Sequence, residues 1–142
     1  MKQIVHLLFF IFFTSQIIQG QNYLVNNYSD SFINKCIIEI YQDKSDELVF
    51  DSNSQRQRLL FDFMKNRVVV EYIPSFEGKK IKSTNELSVF KKYNTILTND
   101  VLYEKKSFNP LKYINSINLK AVNNLFFRIA DTDYIMIVFP LK

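Results

Sequence analysis

Carboxylates are the groups in this chain best able to do chemistry unaided. Asp43, Asp46, Glu47 and Asp51 lie close together, and Asp131 and Asp133 bracket Thr132. Two carboxylates at a set separation are enough for glycoside hydrolysis, and the pair can come from anywhere in a sequence. Crowded carboxylates can also ligate calcium. The first run, however, lacks the one-three-five spacing, central glycine and terminal glutamate of an EF-hand loop. It reads as a solvated turn between helices. Asp131 and Asp133 read as a chain reversal between two apolar runs, because short polar side chains hydrogen-bond nearby backbone.

Nucleophilic chemistry is poorly supplied. Cys36 is the only cysteine and His6 the only histidine. A nucleophilic thiol needs a base to become thiolate, and His6 lies in a leader that the mature chain is expected to lose. Without it no Ser-His-Asp or Cys-His unit and no imidazole or paired-thiolate zinc site can be assembled. Cys36, flanked by Ile33, Ile37 and Ile40, reads as a small buried hydrophobe with no partner for a disulfide. Gly78 is the one glycine beyond the leader, so neither a phosphate-cradling loop nor a nucleophile elbow can form. No catalytic, cofactor-binding or metal-ligating residue is assigned, and no cofactor is expected.

The leader comprises residues 1–20. Met1 and Lys2 give a cationic start, Ile4 to Phe13 an apolar core interrupted by His6, and Ile18, Gln19 and Gly20 a cleavage zone. That order is a bacterial-type secretory signal. An uncleaved anchor is the competing reading. The apolar run is shorter than the ~20 residues a spanning helix needs, and it ends in Thr14, Ser15 and Gln16. Cleavage after Gly20 leaves residues 21–142 as one domain, secreted or periplasmic, with no membrane attachment. Cys36 lies too far from the cut to be acylated.

Eighteen Lys and Arg stand against fourteen Asp and Glu, and Lys2 leaves with the leader. The doublets Lys79-Lys80, Lys91-Lys92 and Lys105-Lys106 are scattered among acids instead of forming the basic stripe of a nucleic-acid binder. They read as solvated surface, and no nucleic acid is expected as partner. Were they to converge in space, an anionic glycan or a phospholipid headgroup would become the partner to consider. Tyr23, Tyr28, Tyr93, Tyr103 and Tyr113 sit in polar or irregular segments. They could form stacking platforms for sugars or proteins, or simply roof a small core.

The elements that would position these groups run from helix to sheet. Asp30 or Ser31 can cap a helix carrying Phe32, Ile33, Cys36, Ile37, Ile40 and Tyr41 on one face, although β-branched Ile37, Ile38 and Ile40 would also suit a strand. Ser54 and Gln57 fit a capping box ahead of Leu59, Leu60, Phe63 and Met64. From Arg67 the period changes to an alternating strand that Pro74 ends. Ser83 and Glu86 fit a second box before Leu87, Phe90 and Leu97, and Asn109-Pro110 starts a short helix with Leu111 and Ile114. Leu125 to Ala130 and Tyr134 to Phe139 are strand-like runs. The expected fold is α+β: two N-terminal helices packed on a small antiparallel sheet ending in a C-terminal β-hairpin.

Phe108-Asn109-Pro110-Leu111-Lys112-Tyr113, the closing stretch Phe127 to Ile135 and Phe50-Asp51-Ser52-Asn53-Ser54 together resemble an uncharacterised family of small exported bacterial proteins, over roughly residues 45 to 140. The resemblance implies export and no catalytic residue. Where such proteins carry an Asp-Asn-Thr turn, this chain has Ala130-Asp131-Thr132.

The leading expectation is an exported, non-enzymatic module that binds a protein or an envelope glycan. The competing class is a histidine-free carboxylate hydrolase of envelope glycan, with two acids facing each other across a groove beside Tyr103 or Tyr113. A third is an envelope protein still anchored by residues 4–18. Mass spectrometry of the protein recovered from an envelope fraction is expected to find Gln21 as the first residue, and recovery of the intact leader would establish the anchored form instead.

Overall fold

Serine side chains start both helices. A computed structural model describes residues 28–51, 54–74, 76 and 81–141; the leader, Tyr23, Ser52, Asn53, Gly78 and the Lys79-Lys80 doublet lie outside them. Helix α1, Asp30–Tyr41, is capped by Ser29, whose hydroxyl accepts from the Phe32 amide. The cap is therefore one residue before Asp30 and two before Ser31, because Asp30 already opens the helix while Ser29 holds extended backbone. Ile33, Cys36, Ile37, Ile40 and Tyr41 are buried along its inner face, at the three- and four-residue steps that keep side chains on one side. Ile38 points outward and is half exposed.

After α1 the chain tightens into a 3-10 turn, Gln42–Lys44, and then widens into a π-helical turn, Asp46–Phe50. Asp43, Asp46, Glu47 and Asp51 are all exposed there. Helix α2, Gln55–Asp62, begins at Ser54, whose hydroxyl accepts from the Gln57 amide and donates to the Val49 carbonyl. It runs into a π-helical turn, Phe63–Arg67. Leu60, Phe63, Met64 and Arg67 form the buried face. Leu59, expected on that face, is instead 56% exposed, since it sits about 100° around the helix from Leu60.

Four strands make one sheet: β1, Val68–Tyr72; β2, Lys82–Ser83; β3, Leu125–Arg128; and β4, Tyr134–Val138. Their spatial order is β1-β4-β3-β2. β4 pairs antiparallel with β1 (Val70 opposite Met136) and with β3 (Phe127 opposite Met136). The two-residue β2 pairs parallel with β3. The sheet is thus mixed and not antiparallel throughout. β2 forms the sheet edge beside β3.

Residues of β4 are buried on both sides. Met136 and Val138 join the main core with Ile33, Ile37, Phe63, Met64 and Tyr113, while Ile135 and Ile137 join Val69 in a smaller cluster edged by Phe76, Ile81, Phe126 and Phe139. Arg67, just before β1, ties the residue after β4 to the segment that precedes β3. Its Nε donates to the Phe139 carbonyl at 3.1 Å and its Nη2 to the Leu119 carbonyl at 2.8 Å, so a buried guanidinium has partners for its charge.

Ser83 and Glu86 do make a full capping box, but it starts only a 3-10 turn, Thr84–Glu86. The turn is held by the sheet: Thr84 Oγ1 accepts from the Ala130 amide and Ser83 Oγ donates to the Ala130 carbonyl. Those two bonds satisfy the residue at which β3 leaves its ladder, where Ala130 has φ 48°. At the following reversal Thr132 hydrogen-bonds the backbone on both sides, while Asp131 is exposed and Asp133 pairs with Arg128.

Gln42 holds φ 51° and ψ −132° where α1 ends, a region that glycine occupies freely and a Cβ disfavours. Its side chain is exposed and makes one hydrogen bond, from Nε2 to the Glu39 carbonyl. Gln42→Gly is expected to stabilise the fold by about 1 kcal/mol net of the added freedom of the unfolded chain. The thermal midpoint should then rise by about 3–5 °C. A midpoint that stays put or falls would mean the turn carries no strain.

Candidate functional site

The densest set of polar groups lies where the segment Asn109 to Tyr113 meets the end of α1. Pro110–Ser116 is a 3-10 helix opened by Asn109, whose side-chain oxygen accepts from the Leu111 amide. Pro110 suits the first helical position, since its φ is preset and it has no amide to leave unpaired. The tight winding buries Leu111, Lys112 and Tyr113 in succession. A lysine is therefore drawn inside between two apolar neighbours, and its ammonium must find anions there.

Lys112 Nζ lies 2.8 Å from Asp100 Oδ1 and 3.5 Å from Glu39 Oε1. The other oxygen of each carboxylate is also engaged. Glu39 Oε2 accepts from Asn109 Nδ2, which donates as well to the Cys36 carbonyl, both at 2.9 Å. Asp100 Oδ2 accepts from the Tyr113 hydroxyl, and that hydroxyl accepts in turn from the Asp100 amide, again both at 2.9 Å. The circuit joins α1, the 3-10 helix and the loop around Asp100.

Burial acts to lower the Lys112 pKa, yet the Asp100 hydrogen bond and the charges of Asp100 and Glu39 outweigh it and hold the ammonium above its ordinary value. The lysine is accordingly neither a base nor a nucleophile near neutral pH. Truncating one partner of such a buried pair costs about 3–5 kcal/mol, most of it from the charge left behind. The Glu39 share is smaller, because its side chain is 37% exposed and water screens it. Burial, followed by the Glu39 charge, pushes the Cys36 thiol up to about 12. Burial also raises Tyr113 well above the usual phenol range. These groups are built to keep their protons.

Asp100 anchors a loop whose other side faces outward. Asn94 Nδ2 donates to the Glu39 carbonyl, Asn99 Nδ2 to the Thr84 carbonyl, and Leu97 is buried between them. Tyr103 packs on Phe108 and Tyr134. Between these anchors the chain exposes aliphatic side chains: Ile96 at 83%, Val101 at 77% and Leu102 at 66%. An open depression of about 510 Å³ lies elsewhere, lined by Glu47, Leu48, Ser54, Gln55, Arg56 and Leu59. Its one carboxylate, Glu47, is paired with Lys44.

The groups singled out from the sequence are dispersed. Asp43, Asp46, Glu47 and Asp51 stay on the surface around α1's exit, far along the chain from Asp131 and Asp133. Among the described residues no group of three or more His, Cys, Asp or Glu side chains is placed to hold a metal ion. Of the tyrosines singled out, the four among the described residues are not exposed platforms. Tyr113 and Tyr28 are buried, while Tyr93 and Tyr103 are partly covered by ring contacts with Tyr41 and Phe108. The Tyr113 hydroxyl finds its partner inside, in Asp100, which lets that ring serve the core.

Sequence reasoning missed Glu39, Asp100 and Lys112 as a set. The one local signal was a lysine inside the otherwise apolar run Pro110 to Tyr113. Searches with protein-family models, against curated proteins and against solved structures find no match to this chain. No family is therefore assigned.

Because the folded Cys36 thiol holds its proton to about pH 12 against an ordinary 9.0, its stabilisation is complete below pH 9 and is lost as pH rises above it. Tyr113 and Lys112 shift in the same sense from 10.0 and 10.5. Urea midpoints should therefore be level up to about pH 9 and then decline. Cys36→Ala is expected to lessen the decline between about pH 9 and 10, where the thiol contributes before the raised tyrosines and Lys112 contribute fully. An identical slope in wild type and variant would show that the thiol is not shielded.

Proposed function

We propose that this chain is an exported, non-enzymatic binding module of the cell envelope. The observation that carries the reading is the division of labour at Asp100. Its side chain closes an internal circuit with Lys112 and Tyr113, while the loop it anchors presents Ile96, Val101 and Leu102 to solvent. Large aliphatic side chains held out by a pinned loop support binding, because their exposure costs free energy that a partner's surface would recover. In this reading residues 1–20 direct export, residues 21–142 act outside the cytoplasm, and both helices lie on one face of a sheet that ends in the C-terminal hairpin. The partner is a component of the envelope, for which a protein or a glycan was the expectation from sequence.

The rival hydrolase gains little support. Glu39 and Asp100 do approach each other, but with the Lys112 ammonium between them and both carboxylates engaged in hydrogen bonds. A general acid and base must each be free to reach a substrate proton.

Immobilised protein is expected to retain an envelope component reproducibly from fractionated extract. Combined Ile96→Ser, Val101→Ser and Leu102→Ser should reduce retention at least ~10-fold, since each lost aliphatic contact is worth about 1.5–3 kcal/mol when fully buried. Val122→Ser, at a residue 83% exposed in another loop, should leave retention unchanged. Reducing ends released from peptidoglycan by the wild type and lost in Glu39→Gln would overturn the reading in favour of the hydrolase.

A further inference from the structure

The loop from Lys91 to Phe108 alternates anchors with projections. Asn94 begins a turn that Leu97 closes, its amide meeting the Asn94 carbonyl, and Ile96 stands at the outer position. Asn99 and Asp100 then tie the chain down, Val101 and Leu102 project, and Tyr103 returns to the core. Beyond Tyr103 the chain makes a second turn. The Ser107 and Phe108 amides bond the Glu104 carbonyl, leaving Lys105 and Lys106 exposed at its centre. Lys91 and Lys92 are exposed before the first turn, with the Lys92 ammonium 5.1 Å from the centre of the Tyr93 ring. Along the chain, two lysine doublets thus bracket three exposed aliphatic residues.

The acids do not cancel these charges. Asp100 is committed to Lys112 inside the fold, which leaves Glu104, bonded to the Ser107 hydroxyl, as the exposed acid of the stretch. The chemistry separates two kinds of partner. Protein hot spots favour Trp, Tyr and Arg, and protein interfaces are depleted in Lys. Aliphatic residues flanked by lysines suit a bilayer of anionic lipid, where the side chains enter the acyl boundary and the ammonium groups stay at the headgroups.

We propose that residues 91–106 form a contact surface for an anionic phospholipid bilayer, with Ile96, Val101 and Leu102 inserting and Lys91, Lys92, Lys105 and Lys106 pairing with headgroups. The inference rests on the reading of the chain as a binding module, and it departs from the expectation that the mature chain leaves the membrane. Rigidity favours the arrangement, because a loop already pinned by Asn94, Asn99 and Asp100 loses little freedom when it docks.

The chain contains no tryptophan, so Leu102→Trp in the full chain places a single reporter on the surface. It senses only its own surroundings, and a leader bound to lipid does not move it. With vesicles of phosphatidylglycerol and phosphatidylcholine its emission should shift to the blue and be quenched by lipid brominated near the headgroup. Phosphatidylcholine alone should give neither. Combined Lys105→Gln and Lys106→Gln in the reporter background should weaken vesicle binding about 25-fold, from roughly fivefold per lysine near an anionic surface. Unchanged far-UV circular dichroism verifies the fold of each variant.

No shift with anionic vesicles, or an equal shift with phosphatidylcholine alone, would overturn the proposal. So would a shift that depends on protein concentration without lipid, which identifies a second copy as the occupant. A shift produced by lipid-free envelope protein but not by vesicles would overturn it too, while leaving the binding-module reading in place.

Discussion

A single buried ammonium organises this molecule. Lys112 is carried inward by the 3-10 helix that begins after Asn109, and once inside it needs anions. Asp100 and Glu39 supply them from parts of the chain with no regular structure in common. Glu39 gains as much as it gives. It lies near the C-terminus of α1, where a negative charge opposes the helix dipole and where no basic residue stands in the last turn. The cation that α1 lacks locally comes from Lys112, some seventy residues further along the chain.

The consequence is a long loop made definite without strands or helices. Between Leu87 and Pro110 the backbone has few partners of its own kind, and the asparagines take that role. Asn94 reaches the Glu39 carbonyl, Asn99 the Thr84 and Leu87 carbonyls, and Asn109 the Cys36 carbonyl. Each donates to a carbonyl of another segment and so ties the loop to the helix or turn it crosses. Thr84 carries the same tie onward to Ala130 at the end of β3. Helix, loop and sheet are therefore joined by side-chain-to-backbone bonds as well as by the apolar core.

Local pattern was readable where burial is one-sided. The apolar stripe of α1, the alternation from Val68 to Tyr72 and the runs around Leu125 and Tyr134 fall within a residue or two of the observed elements. So do the serine caps at Ser54 and Ser83. What escaped was set at a distance. Leu59 looked like core by spacing, but the inner face of its helix is decided by Phe63, Met64 and Arg67 as the helix widens. The parallel pairing of Lys82 and Ser83 has no signature in two residues. Tyr113 looked like a surface aromatic, but its hydroxyl is satisfied inside by Asp100, thirteen residues earlier in the chain.

By itself the order of residues determined an α+β chain with two helices and three well-formed strands, and it left residues 21–142 without a histidine for imidazole-based catalysis. Those properties depend on periodicity and on residue types, which neighbours along the chain suffice to define. Tertiary structure alone decided that Glu39, Asp100 and Lys112 meet, that the sheet is mixed, and that Ile96, Val101 and Leu102 face outward from a pinned loop. A charge is stable inside a protein only when its counter-charge arrives from elsewhere in the fold, and no local pattern records where that partner will be.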